Sequence, residues 1–353
     1  MKSLNILITS AGGNGAGNQI AKCLRLIKNS KYNLYYADNN PDNIQFRHNE
    51  IFTLPLVSNK DYTECLLKIV KKNKIDVIFP GSDKELIFFA KNINFFKERE
   101  LFIPINNLKT INLCLDKSAL NDQLYKLGYT PPKSIKFSLN EKIPNIDWYP
   151  LVLKPSGEGG GSANVFIAQN HDELKYLIKY LSRAFYHSSF ILQEYIGSVD
   201  SEFTVGILHD LLGEFIDSIA LNRDLSQSIS VRSSVPNTTR KDNLGTMLTI
   251  SSGVSQGIIG KFPDITAQCK EIAESIGSTG PLNIQCRVVD GIVRVFEINP
   301  RYSGTSFFRS LAGFNEPTLL IERHIFNKPI QKNIMWPNFK AVRSLNENIF
   351  VPK

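Results

Sequence analysis

Phe296-Glu297-Ile298-Asn299-Pro300-Arg301 places a carboxylate, an amide and a guanidinium in one short stretch, and its reading decides the fold. Side chains alternate along a strand, so Glu297 and Asn299 project to one face while Phe296 and Ile298 project to the other, into a core. Upstream, Pro281-Leu282-Asn283-Ile284-Gln285-Cys286-Arg287-Val288-Val289 reads as the partner strand, with Asp290-Gly291 at the turn. A two-residue turn would put Gln285 and Glu297 on opposite faces. A three-residue loop, with Gly291 in the left-handed region and a bulge beside it, puts Gln285, Glu297 and Asn299 on one face, and this register is the expectation. Oxygen ligands from Gln285, Glu297 and Asn299 suit Mg²⁺, which completes its octahedron with water and substrate phosphates. The alternative is an edge hairpin whose polar residues face solvent.

Working outward, 353 residues are long for one core and imply two or three domains. With 42% hydrophobic and 21% charged residues the chain has an ordinary globular composition, and no run approaches a membrane span. The opening Met1-Lys2-Ser3-Leu4-Asn5-Ile6-Leu7-Ile8 leads directly into glycines and reads as a first strand rather than a signal peptide. Cys23, Cys65, Cys114, Cys269 and Cys286 lack CxxC spacing and are odd in number, which argues against a zinc site or a disulfide framework and fits a reducing, cytoplasmic setting. The five histidines show no HExxH pattern. A net charge of +8 invites a nucleic-acid partner, but the only tight cluster, Lys71-Lys72-Asn73-Lys74, ends a predicted helix. An anionic small substrate explains the balance as well, and neither nucleic acid nor membrane is expected as a partner.

The first ~105 residues alternate strand and helix: Asn5 to Thr9, Asn18 to Lys28, Asn33 to Ala37, Tyr62 to Lys72, Val77 to Phe79 and Lys84 to Asn94. That order predicts a parallel sheet with helices on both faces. The turn from Ser10 to Asn18 is similar to a dinucleotide fingerprint, with Asp38 about where a ribose-binding acid would sit. The match is imperfect, since aligning Gly13 and Gly15 leaves Asn18 in the third glycine position, and a tight turn without nucleotide is the favoured reading. Pro80-Gly81-Ser82-Asp83-Lys84-Glu85 follows a strand at its carboxyl end, where it would either receive substrate or simply cap the next helix.

Beyond Asn106-Asn107 the chain leaves this domain. A helix from about Asp116 to Leu127 stops at Gly128, and Tyr149 to Lys154 forms a strand ending on a lysine. Ser156-Gly157-Glu158-Gly159-Gly160-Gly161-Ser162-Ala163 then separates it from a strand at Val165 to Ala168. Glycines at this density let backbone N–H groups approach phosphate oxygens, so the segment reads as a phosphate-binding flap. A helix from Asp172 to Ala184, strands from Phe190, Ser201 and Phe215, a helix from Asp264 to Ile276 and another near Pro317 to Phe326 complete the chain before a polar tail.

Lys117, Lys154 with its glycine flap, Gln193-Glu194, Glu202, and then Gln285, Glu297 and Asn299, in that order, resemble the ATP-grasp superfamily. Asn283-Ile284-Gln285 and Phe296 to Arg301 look most like its carbamoyl phosphate synthetase large-subunit type. The resemblance implies α/β and α+β architecture: an N-terminal parallel-sheet domain over 1–107, an ATP-grasp subdomain with the flap over 108–190, a metal and nucleotide subdomain over 191–330, and a tail over 331–353. It implies that Lys117 and Lys154 hold ATP phosphates while Gly157, Gly159, Gly160, Gly161 and Ser162 close over them. Gln193, Glu194, Tyr195 and Ile196 would hold adenine, with the Glu194 carboxylate near its amino group, and Glu202 would accept from the ribose. Glu297 would bridge two Mg²⁺ ions (with Mn²⁺ as a substitute), joined by Gln285 on one and Asn299 on the other, although many members carry a carboxylate where Gln285 stands. Arg301 would steady an acyl phosphate.

The activity so implied is ATP-dependent joining of a carboxylate to an amine through an acyl phosphate, releasing ADP and phosphate. Arg223, Arg232 and Arg240 are candidate carboxylate clamps, Arg232 first. A phosphotransferase that stops at the phosphorylated acid, as in carbamoyl phosphate synthesis, a non-catalytic ATP-binding regulator, and a dehydrogenase using the first glycine turn are the alternatives. Small carboxylate and amine substrates and a homodimer are the expected partners.

Overall fold

The structure is a computed structural model that describes residues 3–13, 15–28, 31–40, 42, 50–156, 164–185, 189–330 and 338–344. The chain begins with β1 (Leu4–Ile8), α1 (Ala16–Arg25), β2 (Tyr32–Asp38), β3 (Glu50–Thr53), α2 (Tyr62–Asn73), β4 (Val77–Phe79), α3 (Asp83–Lys91) and α4 (Ile93–Lys97). The strands pair in parallel in the order β3-β2-β1-β4, as the alternating pattern predicts. The order reverses direction at β1, so the β1 and β4 carboxyl ends form the crevice where open α/β sheets receive ligands. Two glycines let the turns after these strands touch: a Cβ on Gly17 would lie 2.4 Å from the Ser10 carbonyl oxygen, and one on Gly81 2.3 Å from that of Thr9. The predicted helix from Lys84 to Asn94 is two helices, broken at Asn92.

Next come α5 (Leu108–Leu115), α6 (Lys117–Lys126), β5 (Ser134–Ser138), β6 (Leu151–Pro155), β7 (Phe166–Ala168), α7 (His171–Phe185) and β8 (Ser189–Glu194). The four strands form an antiparallel sheet, β5-β8-β6-β7, covered by α7 through Leu174, Ile178 and Leu181. The division expected at residue 190 falls inside β8, which pairs with β5 from Ser189 to Gln193.

The remainder comprises β9 (Glu202–His209), β10 (Phe215–Arg223), β11 (Val231–Pro236), β12 (Met247–Ser251), β13 (Gly257–Gly260), α8 (Pro263–Ser275), β14 (Pro281–Val289), β15 (Ile292–Asn299), α9 (Ser306–Leu311), α10 (Glu316–His324) and β16 (Phe339–Ala341). A six-stranded sheet runs β15-β14-β9-β10-β13-β16, and β11-β12 is a separate hairpin. β16 lies in the segment expected as a tail. It joins the sheet edge by pairing with β13, because Phe339 and Ala341 bury against the core shared with the first domain.

Alternation makes the six-stranded sheet two-faced. Phe203, Val205, Leu282, Ile284, Cys286, Val293, Val295 and Ile298 pack on Cys269, Ile272 and Ala273 of α8. Glu202, Thr204, Asn283, Gln285 and Arg287 occupy the opposite face. The first domain docks on the same body through one continuous core in which Ile8, Val77 and Phe79 meet Tyr302, Phe314 and Ile321. Asn106 fixes the crossing point, donating from Nδ2 to the Pro281 carbonyl at 2.7 Å.

Candidate active site

A cleft of about 620 Å³ opens where the carboxyl ends of β1 and β4, the end of β8 and the polar face of the six-stranded sheet converge. Gly15, Ala16, Gly81, Ser82 and Asp83 line it from the first domain, Lys117 from α6, Lys154 and Gln193 to Ile196 from the second sheet and the segment after it, and Glu202, Gln285, Glu297, Asn299 and Arg301 from the third sheet and its end.

The hairpin reaches the expected facing by a different route. Val289 pairs with Ile292 across a two-residue turn in which Asp290 (φ 52°) and Gly291 (φ 76°) are both left-handed. Such a turn alone would send Glu297 into the core with Val293 and Val295. The register shifts between Gln285 and Cys286 instead, leaving Phe296 as the extra residue of a bulge and setting Gln285 opposite Glu297. The Gln285 amide donates to Glu297 Oε2 at 3.3 Å, and Asn299 pairs with Asn283. Phe296, expected in the core, lines the cleft, because the bulge turns it to the same side as Glu297.

The same bulge places Lys154. Its Nζ donates to the Phe296 carbonyl at 3.1 Å and lies 5.9 Å from that ring's centroid, so the lysine is held against the β14–β15 hairpin. Burial lowers the Lys154 ammonium to about 8, with Glu297 opposing the shift and Lys117 adding to it. Lys117 opens α6, capped by Asp116, and lines the cleft. Gly157, Gly159, Gly160, Gly161 and Ser162 lie outside the described residues.

At the far end, Gln193 is 5% exposed and borders the cleft. The Glu194 carboxylate accepts at Oε2 from the Lys133 N–H at 3.2 Å and from Arg294 Nη2 at 3.3 Å, and the residue lines the cleft. Ile196 gives its carbonyl to Arg287 at 3.0 Å. Glu202 is buried between two guanidinium groups: its Oε2 accepts from Arg287 Nη2 at 2.9 Å, while Oε1 lies 3.3 Å from Arg223 Nη1 yet makes no hydrogen bond. Burial alone would raise this carboxyl, but Arg287 and Arg223 outweigh it and hold it below the ordinary carboxylate value. Oε1 is itself buried against Arg223, and Glu202, expected as a ribose partner, is among the residues that line the cleft. Arg287 went unread in the sequence, although alternation along β14 sets it on one face with Asn283 and Gln285.

The clamps read from sequence fare differently. Arg223 is buried and bonded to Ser251 Oγ at 3.0 Å and to the Ser252 carbonyl at 2.9 Å, so it shapes the cleft wall. Arg232 and Arg240 are exposed and outside the cleft lining: β11 carries Arg232 on a hairpin apart from the main sheet, and Arg240 sits in a left-handed loop position. Arg301 does enter the cleft, bonded to Asp83 Oδ1 at 2.5 Å and to Asn299 Oδ1 at 3.1 Å. Ser82 caps α3, the second of the two readings of the Pro80 to Glu85 segment, and it also lines the cleft. Asp38, placed as a ribose acid by the fingerprint, instead accepts from the Gly12 and Asn40 N–H groups at 2.9 Å each and secures its own turn.

Gln285, Glu297 and Asn299 supply oxygen donors on one face, with a single carboxylate among them, and Lys117 and Lys154 line the same cleft. This donor set fits Mg²⁺ shared with phosphates better than a metal held by protein alone. Among the described residues no group of three His, Cys, Asp or Glu side chains is placed to hold a metal. The five cysteines are free, and no described helix is long and apolar enough to cross a membrane.

A parallel-sheet domain followed by two antiparallel sheets that clasp a lysine-and-carboxylate cleft defines an ATP-grasp protein, and the chain belongs to the ATP-grasp superfamily. Residues 6–103 match the PylC-like N-terminal domain, and residues 251–346 match the family described as ATP-grasp in the biosynthetic pathway with Ter operon. The carbamoyl phosphate synthase large chain of Clostridium beijerinckii is 27% identical over 294 residues, covering 80% of this chain. The chain spans only 25% of that relative. Among solved structures, the L-amino acid ligase of Bacillus licheniformis superposes with a TM-score of 0.61 at 15% identity over 92% of this chain and 74% of its own. The biotin carboxylase domain of Hydrogenobacter thermophilus 2-oxoglutarate carboxylase, in complex with MgADP and bicarbonate, does so with a TM-score of 0.61 at 15% identity over 95% of this chain and 73% of its own.

Proposed function

We propose that the protein is an ATP-dependent carboxylate–amine ligase acting on small molecules. ATP would phosphorylate a carboxylate to an acyl phosphate; the amine then attacks the acyl carbon, phosphate leaves with the bond electrons, and the amine loses a proton. The observation that carries this reading is the bulged hairpin, which sets Gln285, Glu297 and Asn299 on the cleft face with Lys154 bonded to the bulge itself. Mg²⁺ held by those three side chains would offset the charge on the transferring phosphoryl group. Lys154 and Lys117 would bind phosphate oxygens as point charges. Arg301, aimed by Asp83 and Asn299, would stabilise the negative charge that grows on the acyl oxygen. The base would meet the Gln193 to Ile196 segment and the ribose would meet Glu202. No protein nucleophile is required. Similarity to the L-amino acid ligase fold supports this reading, and similarity to carbamoyl phosphate synthase keeps a phosphotransferase as the second one.

The test is ADP release with Mg²⁺ across amino acids and small acids, with and without candidate amines, followed by mass spectrometry of the product. An amine-dependent amide is the expected outcome. A stable phosphorylated acid formed without any amine would replace the ligase reading by the phosphotransferase one. Glu297→Ala is expected to lower ADP release at least about 100-fold. Unchanged turnover in that variant would remove the metal assignment.

A further inference from the structure

Arg287 makes more contacts than its place on a strand requires. It is 5% exposed on the cleft face of β14. Its Nε and Nη2 donate to Glu202 Oε2 at 3.1 and 2.9 Å, and Nη2 also reaches the Thr249 carbonyl at 3.0 Å. Nη1 donates to the carbonyls of Ile196 at 3.0 Å and Gly197 at 3.2 Å. The guanidinium carbon sits 4.5 Å from the centroid of the Tyr195 ring, whose hydroxyl accepts from the Thr249 N–H at 2.8 Å. All five donors are used, and one planar fork ties β14, β9, β12 and the segment after β8 together.

The segment after β8 is the end of the cleft where a base would bind. A free backbone there could offer either carbonyls or N–H groups. Arg287 takes the Ile196 and Gly197 carbonyls for itself, and Glu194 is engaged by Arg294. Among the groups left, the Ile196 N–H makes no hydrogen bond among the described residues, and neither does the Gln193 side-chain amide. A 6-amino purine complements that pair, since its N1 accepts and its amino group donates. A 6-oxo purine carries a proton on N1 and would meet the Ile196 N–H donor to donor.

We propose that Arg287 is a positioning residue that fixes the base-binding segment and thereby sets a preference for 6-amino over 6-oxo purine nucleotides. The inference rests on reading the cleft as a nucleotide site. Because Arg287 also binds Glu202 Oε2, one side chain holds both the base-binding segment and the residue read as the ribose partner.

The experiment measures equilibrium binding of ADP and of inosine diphosphate, each with Mg²⁺, to the full chain, to Arg287→Met and to Arg287→Lys, with a thermal melt of each. Arg287→Lys keeps the charge facing Glu202 and so guards against loss of fold in the methionine variant. The wild-type chain should favour ADP at least about tenfold, and in a folded variant that ratio should collapse toward one as ADP weakens. A purely structural role would weaken both nucleotides alike and leave the ratio intact. A folded Arg287→Lys protein with the wild-type ratio overturns the role of Arg287 while the nucleotide reading stands. A wild-type chain that binds neither nucleotide overturns the nucleotide reading itself.

Discussion

Lys154 shows how a single residue can be both strained and useful. A lysine in water holds its proton to about 10.5, whereas here burial brings that value to about 8. Between those values the unfolded chain holds the proton and the folded chain does not. The ligand-free protein should therefore gain stability as pH rises through that window, and Lys154→Met should flatten the gain in melts from pH 8 to 10.5. Anion binding runs the other way. Affinity for Mg·ADP should fall above about pH 8, as the cation is lost, and Lys154→Arg should remove that fall by holding its charge. A profile without the fall would mean that Lys154 does not face phosphate. The lysine itself was legible in the sequence because it ends a strand beside the glycine run. Its fastening to the Phe296 carbonyl was not, since that contact joins positions 142 residues apart.

At the scale of elements, the polar face of the six-stranded sheet is braced from beneath. Arg309 of α9, 1% exposed, donates to Asn283 Oδ1 at 2.6 Å and to Glu316 of α10 at 3.1 Å. Asn283 also accepts from Thr204 at 2.7 Å. The strand β9 makes room for this guanidinium with a glycine: a Cβ on Gly206 would stand 2.5 Å from Arg309 Nη1. Gly206→Ala should therefore destabilise the fold by about 1–3 kcal/mol in denaturant titrations. A neutral effect would show that Arg309 can shift without loss. Strand and helix identities were largely readable from alternation and stop signals. β16 was missed because three residues carry too short a pattern, and the fate of Arg232 was missed because only pairing reveals that β11 belongs to a separate hairpin.

For the whole molecule, the first domain is tied to the site through the Arg301–Asp83 pair and the shared core around Phe79 and Tyr302, whose rings meet edge on at 5.7 Å. The motif order forecast a cleft, but not that Asp83 would reach across it, because that contact spans 218 positions. Acid stability is governed elsewhere. His209 is buried at the end of β9 with both ring nitrogens unpaired, against Phe215 and near Glu274, Lys270 and Asp210. Burial lowers its value from 6.5 to about 4, so the unfolded chain takes up the proton first and stability falls as pH drops through that range. At pH 5 this amounts to about 2 kcal/mol. His209→Leu should reduce the loss of melting temperature between pH 7 and pH 5, and an unchanged slope would assign the acid sensitivity to other groups.

The bulge at Phe296 also bears on how this hairpin can change over evolutionary time. Because the phase is reset between the turn and Glu297, counting forward from Asp290-Gly291 by twos picks Phe296 rather than Glu297 as the residue opposite Gln285. Lengthening the tip by two residues would leave Glu297 facing the cleft. Losing the single residue at 296 would close the bulge into a regular ladder in which Glu297 still stands opposite Gln285, so this hairpin can shed its irregularity without turning the carboxylate into the core.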